Sequence, residues 1–501
     1  MQIRVLSLLL LGLTAATGWG QTIHLEAENA RLEGPTLNAV RPAPPSPGSL
    51  PGRSGYSGAG YVTGFAQPTD RLVFKFKVKT AGLYDLRVAY SCDGRKGFVL
   101  EVNDTKISEM FPSTGGSAFA VHSVGKVDLA AGPNAIAIDR GWGYYDVDYI
   151  ELQMTGPAQP PAVPLAKLAD FHGSPEAAAL LARLDESYGK GTMLGVYSDD
   201  DAKYVLDKTG YQPAIMGGDL MKYSPSFITH GADPAGEVER LIADAKAGYA
   251  ITLSWHWCAP FGLIDAVLPN GEDARWYKGF YTNATKFNVA VAMGDPASKE
   301  HAALLHDIDE IAVQLKKLDA AGVPVLWRPL HEAQDQTFWW GAKGPKPFVA
   351  LWRMMYDRLV NQDGIHNLVW VFTSGGDPAW YPGDAYVDVV GIDAYPEDLH
   401  DPQSGMWAEL QGQFYGRKPL AISEFGGVPD VPKMQRLGAF WSYAVSWQGD
   451  LGPRKNAVAD LQRIYANDGS IKVKPAAEQA GTPRASQGEP PGGPPVPAAP
   501  Q

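Results

Sequence analysis

Cysteine is almost missing: Cys92 and Cys258 are the only two among 501 residues. That excludes a disulfide-stapled scaffold, and because the two lie in segments of different character, two free thiols are expected. Runs of Lys or Arg are missing as well. With a net charge of -12 and a pI near 5.3, the chain has no concentrated basic face, which excludes nucleic acid as a partner. Long apolar runs are the third absence. The stretch Val5 to Leu13 is too short to span a bilayer; with Arg4 before it and small residues after it, residues 1–20 read as a secretory signal. No later segment is long and apolar enough to cross a membrane, so a secreted, extracellular chain without membrane association is expected.

What is present is a large reserve of apolar side chains, 45% of the residues against 20% charged, enough for a sizeable core. The 14 Trp and 22 Tyr gather around Asp, Glu and His rather than only in apolar runs. Core packing absorbs some of them; flat rings for stacking on sugar faces would absorb the rest.

The pattern changes along the chain. Residues 22–153 carry short alternating runs (IHLEAE, RLVFKFKV, GLYDLRVAY, GFVLEVN, NAIAIDRG, DVDYIEL) separated by Gly, Asn and Asp, which predicts an antiparallel β-sandwich. Prolines make 154–167 an extended linker. From 168 to 472, eight apolar runs (GTMLGVYS, PAIMGGDL, YAITLSWHW, VPVLWRPLHE, NLVWVFTS, VDVVGIDAYP, PLAISEFGG, FWSYAVSWQG) are separated by helical stretches such as 235–248 and 301–322. That alternation predicts an α/β fold, a (β/α)8 TIM-type barrel. Residues 473–501, rich in Pro, Gly and Ala, are expected to be disordered.

Barrel enzymes build their sites at the C-terminal ends of the strands. Those ends carry His256 and Trp257 after the third run, Glu332 after the fourth, Tyr395 after the sixth, Glu424 after the seventh and Trp447 after the eighth. Strands four and seven face each other across a barrel, so Glu332 and Glu424 can act as the carboxyl pair of a retaining glycosidase. Arg328, four residues before Glu332, shares its strand face and suits donation to Glu424; Tyr395 is a second candidate donor. His331 stands at a strand end where alternation fails. His256 has no partner at ligand spacing for zinc and reads as a hydrogen-bonding residue of an aromatic cleft. The connection 259–300, with Trp276, Tyr277, Phe280, Tyr281 and Phe287, should wall that cleft.

With SWHW, WYKGFYTNATKFNV, RPLHE followed by FWWG, WYPGDAYVDVVGIDAYP and ISEFG, residues 175–468 resemble glycoside hydrolase family 26, many of whose members are endo-β-1,4-mannanases. The resemblance implies Glu332 as acid/base, Glu424 as nucleophile, and His256, His331, Trp339, Trp340, Tyr395 and Trp447 around the scissile bond. It implies a β-mannan-type polysaccharide as partner and no cofactor for catalysis, and a monomer is expected. A β-1,3-xylanase, a mixed-linkage β-glucanase or an exo-acting mannanase would use the same acid pair. The N-terminal region resembles a family 35 carbohydrate-binding module on EAEN, GWG and VDYIEL. That resemblance implies a structural calcium held by Glu26, Glu28 and Asp148, and Trp142 between two glycines is a candidate sugar platform.

Overall fold

The computed structural model describes residues 22–40, 53–103, 105–141, 143–164, 167–234 and 236–473. The expected signal segment, nearly all of the C-terminal tail and Trp142 lie outside the described residues. The chain divides into two compact units.

The N-terminal unit is built on two antiparallel sheets. All six alternating runs form strands, for example Arg71–Val78, which pairs in register with Gly132–Asp139 and buries Leu72 and Phe74. Strands Arg31–Glu33, Asn38–Val40, Tyr61–Thr63, Thr105–Phe111 and Ala120–Leu129 were not among the expected runs. Apart from the three-residue Tyr61–Thr63, they are sheet edges, where polar residues are tolerated and the alternation weakens. A bulge between Val147 and Tyr149 re-aims Asp148.

The second unit is the barrel. Its strands are β1 (Thr192–Val196), β2 (Ile215–Asp219), β3 (Ala250–Trp255), β4 (Val325–Pro329), β5 (Leu368–Thr373), β6 (Val389–Ala394), β7 (Leu420–Phe425) and β8 (Tyr443–Ser446). Each runs parallel to the next, and β1 pairs with both β8, through Met193 and Tyr443, and β2, through Gly195 and Ile215, which closes the ring. All eight expected runs are therefore barrel strands. They read as unbroken apolar runs because a closed parallel sheet is covered on both faces. Several outer helices start on side-chain caps: Ser198 opens Asp199–Thr209, with three Asp in its first turn, and Ser298 opens Lys299–Ala320. The connection 259–300 is ordered by a small hairpin (Ala266–Val267 with Asp273–Ala274) and a short helix (Val289–Gly294), with Phe280 and Phe287 buried beneath it.

Candidate active site

The C-terminal ends of the strands open into a cleft whose walls come from across the ring. His256 follows β3, His331 and Glu332 follow β4, Tyr395 follows β6, Glu424 lies in β7 and Trp447 follows β8; Tyr281 and Phe338 close one side.

Glu424 is held at both oxygens. Its strand bulges against both neighbours, between Ile392 and Asp393 on β6 and between Ile422 and Phe425 on the β8 side, which aims its carboxylate into the cleft. Arg328, fully buried on β4, donates from Nη2 to Glu424 Oε2 at 2.5 Å, and the Tyr395 hydroxyl donates to Oε1. The same guanidinium donates from Nη1 to Asp393 at 2.6 Å and from Nη2 to the Tyr197 hydroxyl at 3.1 Å. Ser423 donates to the other oxygen of Asp393 at 2.8 Å. Burial and the carboxylates around it push the Tyr395 phenol far up, so it remains a donor. A charged hydrogen bond of this kind is shorter and stronger than a neutral one, and here it fixes the carboxylate as an acceptor.

Glu332 is placed differently. The chain leaves β4 through two residues with left-handed backbone, Leu330 at φ 52° and Glu332 at φ 50°. Each costs about 1 kcal/mol or more and persists only where the surroundings impose it. The turn breaks the strand alternation, so His331 and Glu332 both reach the cleft. Among the described residues the Glu332 carboxyl has no hydrogen-bond donor. Burial, and then the charges of Asp393, Glu424 and Asp335, raise it well above the usual carboxylate range, against a smaller opposing pull from Arg328. Asp393 and Glu424 both accept from one guanidinium, yet burial still lifts Asp393 to about 7, and Glu332, the one without a donor, stands well above the usual carboxylate range.

The two histidines touch edge to edge, with His331 Nε2 3.1 Å from His256 Nε2. Burial, then the charge of Arg328, holds the His331 imidazole well below its ordinary range and therefore neutral. His256 is held on its far side by Asp219, whose Oδ2 lies 2.5 Å from Nδ1.

Of the expected contacts, His256, His331, Tyr395 and Trp447 line the cleft together with both glutamates. Arg328 acts through Glu424 and has no surface of its own there. Trp257, Trp339, Trp340 and Phe287 do not line it. Trp257 and Trp340 are 0% exposed and Trp339 1%. Their indole N–H groups are engaged inside the protein: Trp257 with Asp307 at 2.8 Å, Trp339 with the Trp257 carbonyl at 2.6 Å and Trp340 with the His331 carbonyl at 2.8 Å. They form the layer on which the cleft rests. Phe287 packs edge-on against Trp339 in that layer. Cys258 is buried against Gly279, and both thiols are free, as expected. Tyr281, from the connection expected to wall the cleft, lines it; Thr337, Phe338, Asp393 and Asp219 belong to the site and were missed. Asp219 and Asp393 each close a strand run, the signal that singled out the two glutamates.

In the N-terminal unit, Glu26, Glu28 and Asp148 converge on the turn Ser57 to Ala59. Asp148 accepts from the Ser57 amide at 2.9 Å, Glu26 from the Ser57 hydroxyl at 2.8 Å, and Glu28 from the Ala59 amide at 2.8 Å. Gly58 has a left-handed φ of 56°, and a Cβ there would stand 2.8 Å from both glutamate side chains. Glu28 Oε2 is buried without a partner among the described residues, and burial together with the two glutamate charges raises Asp148 to about 6. Among the described residues, however, no three acid, His or Cys groups stand at metal-ligand spacing, because these carboxylates are turned onto the 57–59 segment. The donor chemistry suits a hard cation; the arrangement as it stands does not yet enclose one.

Comparison with known proteins follows the same division. Residues 49–155 match carbohydrate binding module (family 35), and residues 171–474 match glycosyl hydrolase family 26. A mannan endo-1,4-β-mannosidase of Thermothelomyces thermophilus is 38% identical over 88% of this chain and 88% of its own length. Mannan endo-1,4-β-mannosidase A of a Piromyces species is 28% identical over 90% of this chain and 70% of its own. The crystal structure of a Podospora anserina GH26-CBM35 β-(1,4)-mannanase superposes with a TM-score of 0.63 at 36% identity, covering 90% of this chain and 97% of that one. The family 26 match spans more than half of the sequence and takes in every barrel strand and both cleft glutamates, and the chain belongs to that family of glycoside hydrolases.

Proposed function

We propose that this chain is a secreted endo-β-1,4-mannanase that cleaves internal linkages of mannan, glucomannan or galactomannan with retention of configuration. The observation that carries the reading is the unequal treatment of two carboxyl groups in one cleft, Glu424 fixed by Arg328 and Tyr395 and Glu332 left without a donor. The names borne by the relatives supply the polysaccharide.

Glu424 attacks the anomeric carbon as the glycosidic C–O bond breaks, and Glu332 gives its proton to the departing oxygen. That leaves a glycosyl ester on Glu424 and an ionised Glu332. Glu332 then takes a proton from water, whose oxygen attacks the same carbon and releases Glu424. Trp447 and Tyr281 offer ring surface for stacking, while His256 and His331 hold fixed polar edges towards the sugar. The N-terminal module holds the same class of polysaccharide, with Trp142 as a platform, and Glu26, Glu28 and Asp148 are the residues that would hold calcium. Calcium should raise the melting temperature of that module, with EGTA reversing it; identical melting curves would remove the ion from the account.

Reducing-sugar release and product sizing on galactomannan, glucomannan, β-1,3-xylan and barley β-glucan test the activity. Mixed short manno-oligosaccharides from the two mannans are expected. Mannobiose alone would make the enzyme exo-acting, and release only from xylan or β-glucan would overturn the substrate while leaving the acid pair in place.

A further inference from the structure

The chemistry above leaves one chain of contacts unused, and it begins at Asp219, the last residue of β2. Its Oδ1 accepts from the Met221 amide at 2.7 Å and the His256 amide at 3.1 Å; its Oδ2 accepts from the Ser254 hydroxyl at 3.2 Å and faces His256 Nδ1 at 2.5 Å. A carboxylate that accepts from two backbone amides and a hydroxyl is held ionised despite its burial. An ionised carboxylate only accepts, so His256 Nδ1 carries a proton.

The far edge of His256 then meets His331, nitrogen to nitrogen at 3.1 Å, which requires one proton between the rings. Two arrangements supply it. In one, His256 is neutral and accepts from His331 Nε2–H. In the other, His256 is a cation that donates, and His331 must carry its proton on Nδ1. That Nδ1 is buried with no partner among the described residues. An orphaned buried N–H is rarer in folded proteins than an orphaned lone pair, which favours the first arrangement.

We propose that Asp219 is a positioning residue of the reaction: it fixes His256 as the Nδ1–H tautomer, which fixes His331 as the Nε2–H tautomer, so that both imidazoles beside Glu332 are uncharged and oriented. The consequence rests on the reading of Glu332 as the proton donor. A cationic imidazole next to it would stabilise its carboxylate and draw off the proton that the leaving group needs. No residue of the chain Asp219, His256, His331 gives or takes a proton in the reaction; their order sets where protons are held.

The test is long-range 1H–15N correlation on enzyme carrying 15N-histidine, in which two-bond couplings report the protonated nitrogen, with His256→Gln and His331→Gln used to assign the two among the ten histidines. The wild type should show His256 protonated only at Nδ1 and His331 only at Nε2. Asp219→Asn should lose that His256 signature and lose about tenfold or more in kcat, with KM changing less than about threefold, as expected when an imidazole's orienting carboxylate is removed. His256 protonated at Nε2 in the wild type would overturn the proposal, as would an Asp219→Asn enzyme that keeps both tautomers, whatever its activity. If the variant does not fold, the wild-type spectrum decides alone. A failed assignment of Glu332 would show separately, as activity surviving in Glu332→Ala.

Discussion

The ends of β4 and β7 deliver a glutamate each to one cleft and prepare it in opposite ways. At β7, bulges aim Glu424 at a guanidinium and a phenol, and both of its oxygens accept a hydrogen bond. At β4, two left-handed residues swing Glu332 out of the strand, and among the described residues no donor meets its carboxyl. The residue type is the same; the difference lies in what the backbone brings within reach. One guanidinium donates to Glu424 and Asp393, and the third carboxyl of the group, Glu332, is raised by burial and by its negative neighbours.

The contrast breaks most sharply on leaving-group dependence. Glu424→Ala should lose about four orders of magnitude or more in kcat on every substrate, because no other group forms the ester. Glu332→Ala should lose a similar factor on mannan but far less on a dinitrophenyl β-mannoside, whose departing oxygen needs no proton. Rates on the two substrates decide it, and equal losses for both variants on both substrates would erase the difference in role.

Arg328→Lys should cost about a hundredfold in kcat, since a single ammonium cannot reproduce the fork that serves Glu424, Asp393 and Tyr197 together. Steady-state kinetics at the pH optimum measure it.

A smaller effect tests the Glu332 side. Asp335 is one of the charges that raise Glu332. Removing a negative neighbour lowers an acid's pKa, so Asp335→Asn should move the alkaline limb of the kcat/KM profile down by a few tenths of a pH unit. An upward shift would contradict the assignment.

The smallest expectation is a control. Asp185, in the outer helix Pro175–Ser187, is also a buried acid, raised to about 7 by burial alone, with both oxygens unpartnered among the described residues. A carboxyl whose folded pKa exceeds its unfolded one costs nothing below the unfolded value, and the cost grows as pH rises between the two. Asp185→Asn should therefore stabilise the protein by about 1–2 kcal/mol at pH 8, with little change at pH 4 and none in kcat. Urea unfolding at the two pH values checks this. A raised pKa marks a catalytic acid only when the group also faces a cleft.

The barrel was legible because each strand is a short apolar run followed by a turn, and both glutamates because each is the first acid after such a run. The same rule reaches Asp219 in GGDL and Asp393 in GIDAYP, but without coordinates nothing showed that their partners were His256 and Arg328. The tryptophans were the weakest reading. FWWG and SWHW suggest a stacking surface, yet Trp257, Trp339 and Trp340 hand their N–H groups to Asp307 and to backbone carbonyls and lie under the cleft. Which face of a ring meets solvent depends on the connection 259–300, and no periodicity encodes it. In the N-terminal unit the edge strands escaped notice because an edge needs little apolar alternation.

The central claim, that Glu424 is the nucleophile of a double displacement, is tested most directly by covalent trapping. Incubation with a 2-deoxy-2-fluoro-β-mannosyl fluoride, followed by peptide mass mapping, should place a single fluoromannosyl ester on Glu424. Label on Glu332 or Asp393, or steady turnover of mannan by enzyme that never takes up label, would contradict it.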